Sequence, residues 1–203
     1  MPAKPIVKMG NPVLLQRAEE IDDPTAPEIR KLVKQMQESL KEAGGIGLAA
    51  PQIGVPLRLV IFGISAARLQ NEDGSPDSDG FAQRVLINPE LEPLGVDTSL
   101  GWEGCLSVPG LRGLVPRYTR LRYRAFDLQG QRQDILAEGF HARVVQHECD
   151  HLDGILYVQR MTDLRNLVYE DEMGEFIKHF SLTEGKDQSF QGVGDDRSKD
   201  HKR

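Results

Sequence analysis

The chain has 203 residues, a net charge of −6, 39% hydrophobic and 28% charged residues. That composition fits a globular protein with enough core to fold without disulfides or a structural metal, and it gives no global electrostatic reason to coat DNA or an anionic membrane. No apolar run approaches the roughly 18 residues of a membrane span. The two cysteines, Cys105 and Cys149, exclude a disulfide scaffold and point to a reducing compartment.

Residues 1–23 are expected to form an extended arm, punctuated by Pro2, Pro5, Gly10 and Pro12, in which Val13, Leu14 and Leu15 can pack down. The Met1–Pro5 segment has no apolar stretch of the signal-peptide kind, so the cytoplasm is the expected location. Ile29, Leu32, Val33, Met36, Leu40 and Ala43 recur at three and four residues and predict the first helix. Thr25 with Glu28 has the form of a capping box, and Gly44 stands where a helix stops. Strands are predicted over Arg58–Gly63, Arg84–Asn88, Arg120–Asp127 and Gln131–Ala137, with a polar surface loop over Gln70–Gly80. A second helix covers about Glu138–Leu152, a short strand Ile155–Val158, and a third helix Asp163–Phe180 with Leu164, Leu167, Val168 and Ile177 inward. From Glu184 onward the chain has the composition of a disordered tail. The pattern is α+β: mostly antiparallel sheets, an N-terminal, a central and a C-terminal helix, in one catalytic domain over 1–183 followed by the tail over 184–203.

The sharpest chemical signal is His147-Glu148-Cys149-Asp150-His151. Helical residues four apart lie about 40° apart around the axis, so both imidazoles can reach one metal ion. Glu148 sits about 60° from His151, close enough to take a proton from water beside the metal without ligating it. A third ligand is needed, and no downstream histidine supplies it. Asp150 is a weak candidate. Cys149 points about 160° away from His151 and is read as a core residue. Cys105, in Trp102-Glu103-Gly104-Cys105-Leu106-Ser107-Val108-Pro109-Gly110, is the better candidate, in a loop that glycines and proline allow close to a metal.

The segment Gly45-Ile46-Gly47-Leu48-Ala49-Ala50-Pro51-Gln52 superficially matches a dinucleotide fingerprint. It follows a helix rather than a strand, and Pro51 would interrupt a new helix. It is read instead as a tight glycine loop that approaches a ligand and presents Gln52, whose neutral amide suits an oxyanion.

Together these three segments resemble the signature motifs of the peptide deformylase family, in the same order, over most of the chain to about Met161. The resemblance implies a hydrolase that removes the formyl group from the N-terminal formyl-methionine of nascent polypeptides. It implies Cys105, His147 and His151 as ligands of one divalent metal, Fe2+ first, with Zn2+, Ni2+ or Co2+ as substitutes; ligand type and spacing alone favour zinc. It implies Glu148 as acid/base and Gln52 with the Leu106 N–H at the oxyanion. It places the substrate against Gly45, Ile46, Gly47, Arg112, Phe140 and Val144. Neither membrane nor nucleic-acid readout is implied. In the family the C-terminal helix is linked to transient ribosome contact, but Glu170, Asp171, Glu172 and Glu175 make this one acidic. The alternatives are a zincin-type endopeptidase, which the missing downstream ligand disfavours, and a non-catalytic metal protein, which has no use for Glu148.

Overall fold

The computed structural model describes residues 2–64 and 81–184. Its helices are α1 (Pro27–Ala43), α2 (Gly139–Leu152) and α3 (Met173–Glu184). Its strands are β1 (Gly47–Ala49), β2 (Leu59–Ile64), β3 (Phe81–Pro93), β4 (Thr98–Cys105), β5 (Val108–Tyr118), β6 (Arg120–Phe126), β7 (Arg132–Glu138) and β8 (Leu167–Tyr169). The strands form an antiparallel five-stranded sheet, β1-β2-β3-β6-β7, and an antiparallel three-stranded sheet, β4-β5-β8. The α+β architecture read from sequence is present.

The larger sheet lies between two helices. Alternation along β2 divides its side chains between them: Val60 and Phe62 join the core of α2, with Val145, Cys149 and Leu152, while Leu59 and Ile61 join Ile29, Val33, Met36 and Leu40 of α1. Residues of β2 buried on both faces give the continuous apolar run that marks a central strand. Leu121, Tyr123 and Ala125 face α2, as their alternation predicts. A smaller core of Val108, Val115, Leu156 and Tyr157 lies under the second sheet.

The N-terminal arm is bonded to the turns that carry Gln52 and Ser107. Val7 N donates to Gln52 O at 2.9 Å and Met9 N to Ser107 O at 2.7 Å, and Leu14 is fully buried. Gly44 ends α1 in the left-handed region, φ 68°.

Several expectations are corrected. The Thr25–Glu28 capping box does not form: the helix starts at Pro27 behind Ala26, and Asp23 Oδ1 instead accepts from Thr25 N and Oγ1. The segment Ile155–Val158 is not a strand; Tyr157–Gln159 form a 3-10 turn and the chain is held by burial of Leu156 and Tyr157. The helix expected over Asp163–Phe180 is a 3-10 turn (Leu164–Asn166), then β8, then α3, and Leu164 and Ile177 are exposed. Here edge pairing of Leu167–Tyr169 with β5 overrides local helix propensity. The glycine loops expected around Cys105 and Gly47 are largely strand: Cys105 ends β4, and Gly47 opens β1 before a 3-10 turn over Ala50–Ile53. The Gln70–Gly80 loop lies outside the described residues, as does the tail apart from Glu184.

Candidate active site

Helix α2, packed on one face of the larger sheet, places His147 and His151 one turn apart, ring centroids 5.1 Å from each other. The last residue of β4, Cys105, meets them. The donor atoms of Cys105, His147 and His151 all lie within 4.8 Å of one another, and Cys105 Sγ is 3.3 Å from His151 Nε2. In a tetrahedral site with bonds of about 2.0–2.3 Å, ligand atoms stand roughly 3.3–3.6 Å apart, so modest contraction suffices for one ion.

The surroundings fit a cation. Cys105 Sγ accepts from Ser107 N and from Gln52 Nε2, each at 3.4 Å, so two donors converge on the sulfur. His147 Nδ1 donates to Glu103 Oε2 at 2.8 Å, which fixes its tautomer with Nε2 as the ligating nitrogen. Burial alone would depress His147, yet Cys105 and Glu103 raise its pKa to about 10; the field that holds a proton there would also hold a metal ion. Burial, with the neighbouring His147, drives His151 well below its ordinary value, so it is neutral, as a ligand must be.

Glu148 lies on the cavity side of the triad. Its carboxylate rests against Gly47, where a Cβ would collide with it. Its Oε2 is buried and has no hydrogen-bond partner among the described residues. Such an orphaned acceptor marks a place for a bound water or ligand. Burial raises the Glu148 pKa to about 7; His147 and Arg117 oppose the rise and Glu103 adds to it. A carboxyl poised there can both take and return a proton near neutral pH.

Gln52 is fixed at both ends of its amide. Its Oε1 accepts from Ala49 N at 2.8 Å, and its Nε2 donates to Ser107 Oγ at 3.2 Å beside the thiol. Leu106 lies in the two-residue turn between β4 and β5. A cavity of about 540 Å³ opens beside the triad, and every residue expected at the site except His151 lines it: Gly45, Ile46, Gly47, Gln52, Cys105, Leu106, Arg112, Phe140, Val144, His147 and Glu148.

Two findings depart from the sequence reading. Asp150 is not a ligand: its carboxylate is taken by Arg117 at 2.6 Å and Arg160 at 2.7 Å. Behind the triad, Glu103 accepts from Arg117 Nε and Arg143 Nη1, both at 2.9 Å, as well as from His147. Glu103 was visible within a motif but had no assigned role. Its position two residues from Cys105 in a strand, hence on the same face, was the available signal. Burial would raise its pKa, but His147 and Arg117 outweigh this and hold it at about 2.

The polypeptide deformylase family model matches residues 3–167. The chain belongs to this family. A peptide deformylase from Nitrosomonas europaea is 52% identical over 170 residues, 84% of this chain and 94% of that protein. One from Prochlorococcus marinus is 46% identical over 173 residues, 85% of this chain and 88% of that protein. A class I type b peptide deformylase from Acinetobacter baumannii, solved with Met-Ala-Ser bound, superposes with a TM-score of 0.71 at 34% identity, covering 78% of this chain and 98% of that one. A Synechococcus elongatus deformylase in complex with actinonin gives 0.68 at 31% identity, covering 88% and 86%. This deformylase is thus a hydrolase that removes the formyl group from the N-terminal formyl-methionine of newly made polypeptides. The family is metal-dependent, and the Cys105–His147–His151 cluster is its candidate metal centre here. The endopeptidase and non-catalytic alternatives are not favoured.

Proposed function

We propose that Cys105, His147 and His151 hold one divalent ion, Fe2+, which Zn2+, Ni2+ or Co2+ can replace, and that the cavity beside it binds the formyl-methionyl end of a nascent chain. When bound, the ion supplies Lewis-acid polarisation of the formyl carbonyl and acidifies water. Glu148 takes the proton from the attacking water and delivers it to the departing amine. Gln52 Nε2 and the Leu106 N–H donate to the oxygen on which negative charge develops. Ile46, Phe140 and Val144 form the wall for the methionine side chain, and Gly45 and Gly47 leave room for the peptide backbone. Arg112, at the same cavity, contacts the peptide downstream.

The observation that carries this reading is the convergence on one cavity of three donor atoms within 4.8 Å, a buried carboxylate with an orphaned oxygen, and a doubly anchored amide. The iron assignment rests on the family resemblance, since a thiolate with two imidazoles also suits zinc. The enzyme works in the cytoplasm, where formylated chains emerge, with transient contact to the ribosome; its acidic segment at Glu170, Asp171, Glu172 and Glu175 implies a docking mode unlike that of a basic helix. The test is anaerobic purification with metal analysis and turnover of formyl-Met-Ala-Ala amide. One equivalent of iron, loss of activity on chelation and its return with Fe2+ are expected. Full activity in metal-free protein would overturn the reading.

A further inference from the structure

The cavity's charges fall into two groups. Glu103, Arg143 and Glu148 are buried, and His147 is nearly so, with 11% of its side chain exposed. Among the described lining residues, the exposed charges are Arg112 and Glu170, with side chains 39% and 57% accessible. They are paired: Arg112 Nε donates to Glu170 Oε1 at 3.2 Å, and Nη2 donates to the same oxygen.

Glu170 is delivered to this place by the C-terminal segment. Strand β8 pairs with β5 through Leu111↔Tyr169, and Glu170 N donates to Gly110 O at 2.9 Å. Farther on, the Phe176 ring of α3 meets Trp102 edge-on, centroids 5.7 Å apart, and Trp102 lines the same cavity. The segment is therefore fastened to the cavity mouth by backbone, ion pair and ring contact. It lies beyond residue 167, where the family match ends.

We propose that Glu170 determines a charge preference for the residues that follow methionine in the substrate, favouring a basic over an acidic side chain at the second or third position. The proposal rests on the deformylase reading of this cavity. An unpartnered Arg112 would attract an acidic side chain. With Glu170 in place that cation is already neutralised, and an incoming carboxylate must face Glu170 or break the pair. Both hydrogen bonds from Arg112 end on Oε1, whereas a carboxylate offers about four acceptor sites over two oxygens. Capacity remains on Glu170 for a second cation, an ammonium or guanidinium of the peptide. Because both groups are solvent-exposed, the effect is modest: exposed pairs correspond to roughly 1.4- to 5-fold in binding.

The test uses metal-replete full-length enzyme and three amidated formyl-Met peptides that carry Lys, Ala or Glu at the second position, with a matching set for the third. The kcat/KM ratio of Lys to Glu peptide, taken within each enzyme preparation, cancels differences in active fraction. Wild type is expected to show a ratio of roughly 2 to 5 at low salt in at least one set, decreasing when salt shortens the Debye length to a few ångströms. Glu170→Gln should bring the ratio to one or below, and Glu170→Lys should invert it. A ratio unchanged by both substitutions would overturn the proposal, as would a drop of all three peptides in proportion, the mark of a merely structural role. Wild type that hydrolyses none of the peptides would overturn the deformylase reading itself, and the proposal with it.

Discussion

Gly47→Ala isolates the placement of Glu148 from the rest of the site. An alanine Cβ at position 47 would stand 2.5 Å from Glu148 Cδ and 2.8 Å from Cγ. Carbon atoms prefer about 3.5–4.0 Å, so the carboxylate must retreat by roughly 1 Å. The backbone at Gly47 is ordinary for an L-residue, because its φ is not positive. The cost to stability is therefore that of a displaced buried side chain, about 1–3 kcal/mol. The cost to turnover is larger: misplacing a reacting group by about 1 Å is worth on the order of 10² in rate. The assay compares kcat/KM on formyl-Met-Ala-Ala amide, thermal midpoint and anaerobic metal content. Metal content should hold, since the three atoms nearest the new methyl group all belong to Glu148, which is not a proposed ligand. In a Glu148→Gln background, Gly47→Ala should cost little further rate, because the group it displaces no longer takes the proton. A Gly47→Ala enzyme with wild-type kcat/KM would refute the reasoning, as would additive losses in the double variant.

Glu148→Gln should retain the metal and lose about 10²- to 10⁴-fold in kcat, read by single-turnover assay on the metal-loaded protein. Cys105→Ser should empty or weaken the site in metal analysis, since a hydroxyl does not ionise as a thiol does. Cys149→Ala should leave the site loaded and cost about 1 kcal/mol or more by denaturant titration, because this cysteine is packed in the α2 core and burial holds its thiol protonated. Burial, with Arg84 adding to it, depresses His141 to about 4. The unfolded chain therefore binds the proton first as pH falls through about 6.5, and stability contributed by neutral His141 is lost from there down to about 4. The slope should stay below about 1 kcal/mol per pH unit at this half-buried site, and His141→Gln should flatten that part of the stability profile.

What the sequence made legible follows from periodicity and ligand spacing. The stripes of α1 and α2 and the alternation of β6 are properties of single elements, and all three are present. The helical spacing of His147, Glu148 and His151 needed no tertiary information either. The second sheet was hidden because its composition is dictated by what crosses it. Gly101 and Gly104 of β4 lie under the Arg143 and Arg112 side chains, where a Cβ would collide with the guanidinium groups. Glycines chosen for close passage look the same in sequence as glycines chosen for turns. The C-terminal half-helix was misjudged for a related reason. Leu164, Leu167 and Val168 fit a helical stripe, but partners on β5 claim Leu167 and Val168 as strand. Asp150 was weighed as a ligand because its only visible neighbours were histidines; Arg117 and Arg160 reach it from elsewhere in the chain.

The buried charges behind the metal centre explain how the two sources of ligand stay in register. His147 and His151 are fixed relative to each other by one turn of α2, but Cys105 belongs to β4 of the three-stranded sheet. Hydrophobic contact does not fix such a junction to a fraction of an ångström, because it is not directional. The ionic network does. Arg117 of β5 bonds Glu103 of β4 and Asp150 of α2, and Arg143 of α2 bonds Glu103 and the backbone carbonyls of Ser99 and Val115. Each bond has a direction, and together they tie β4 and β5 to α2 just ahead of the cysteine. Leaving one of these charges without its partner is costly, about 3–5 kcal/mol for a buried pair, which makes the arrangement hard to slip. Glu103 closes the set by holding His147 Nδ1, so the residue that anchors the sheet also orients a ligand. The network is thereby a positioning device for the three donor atoms, and its charges need no contact with substrate to matter for turnover.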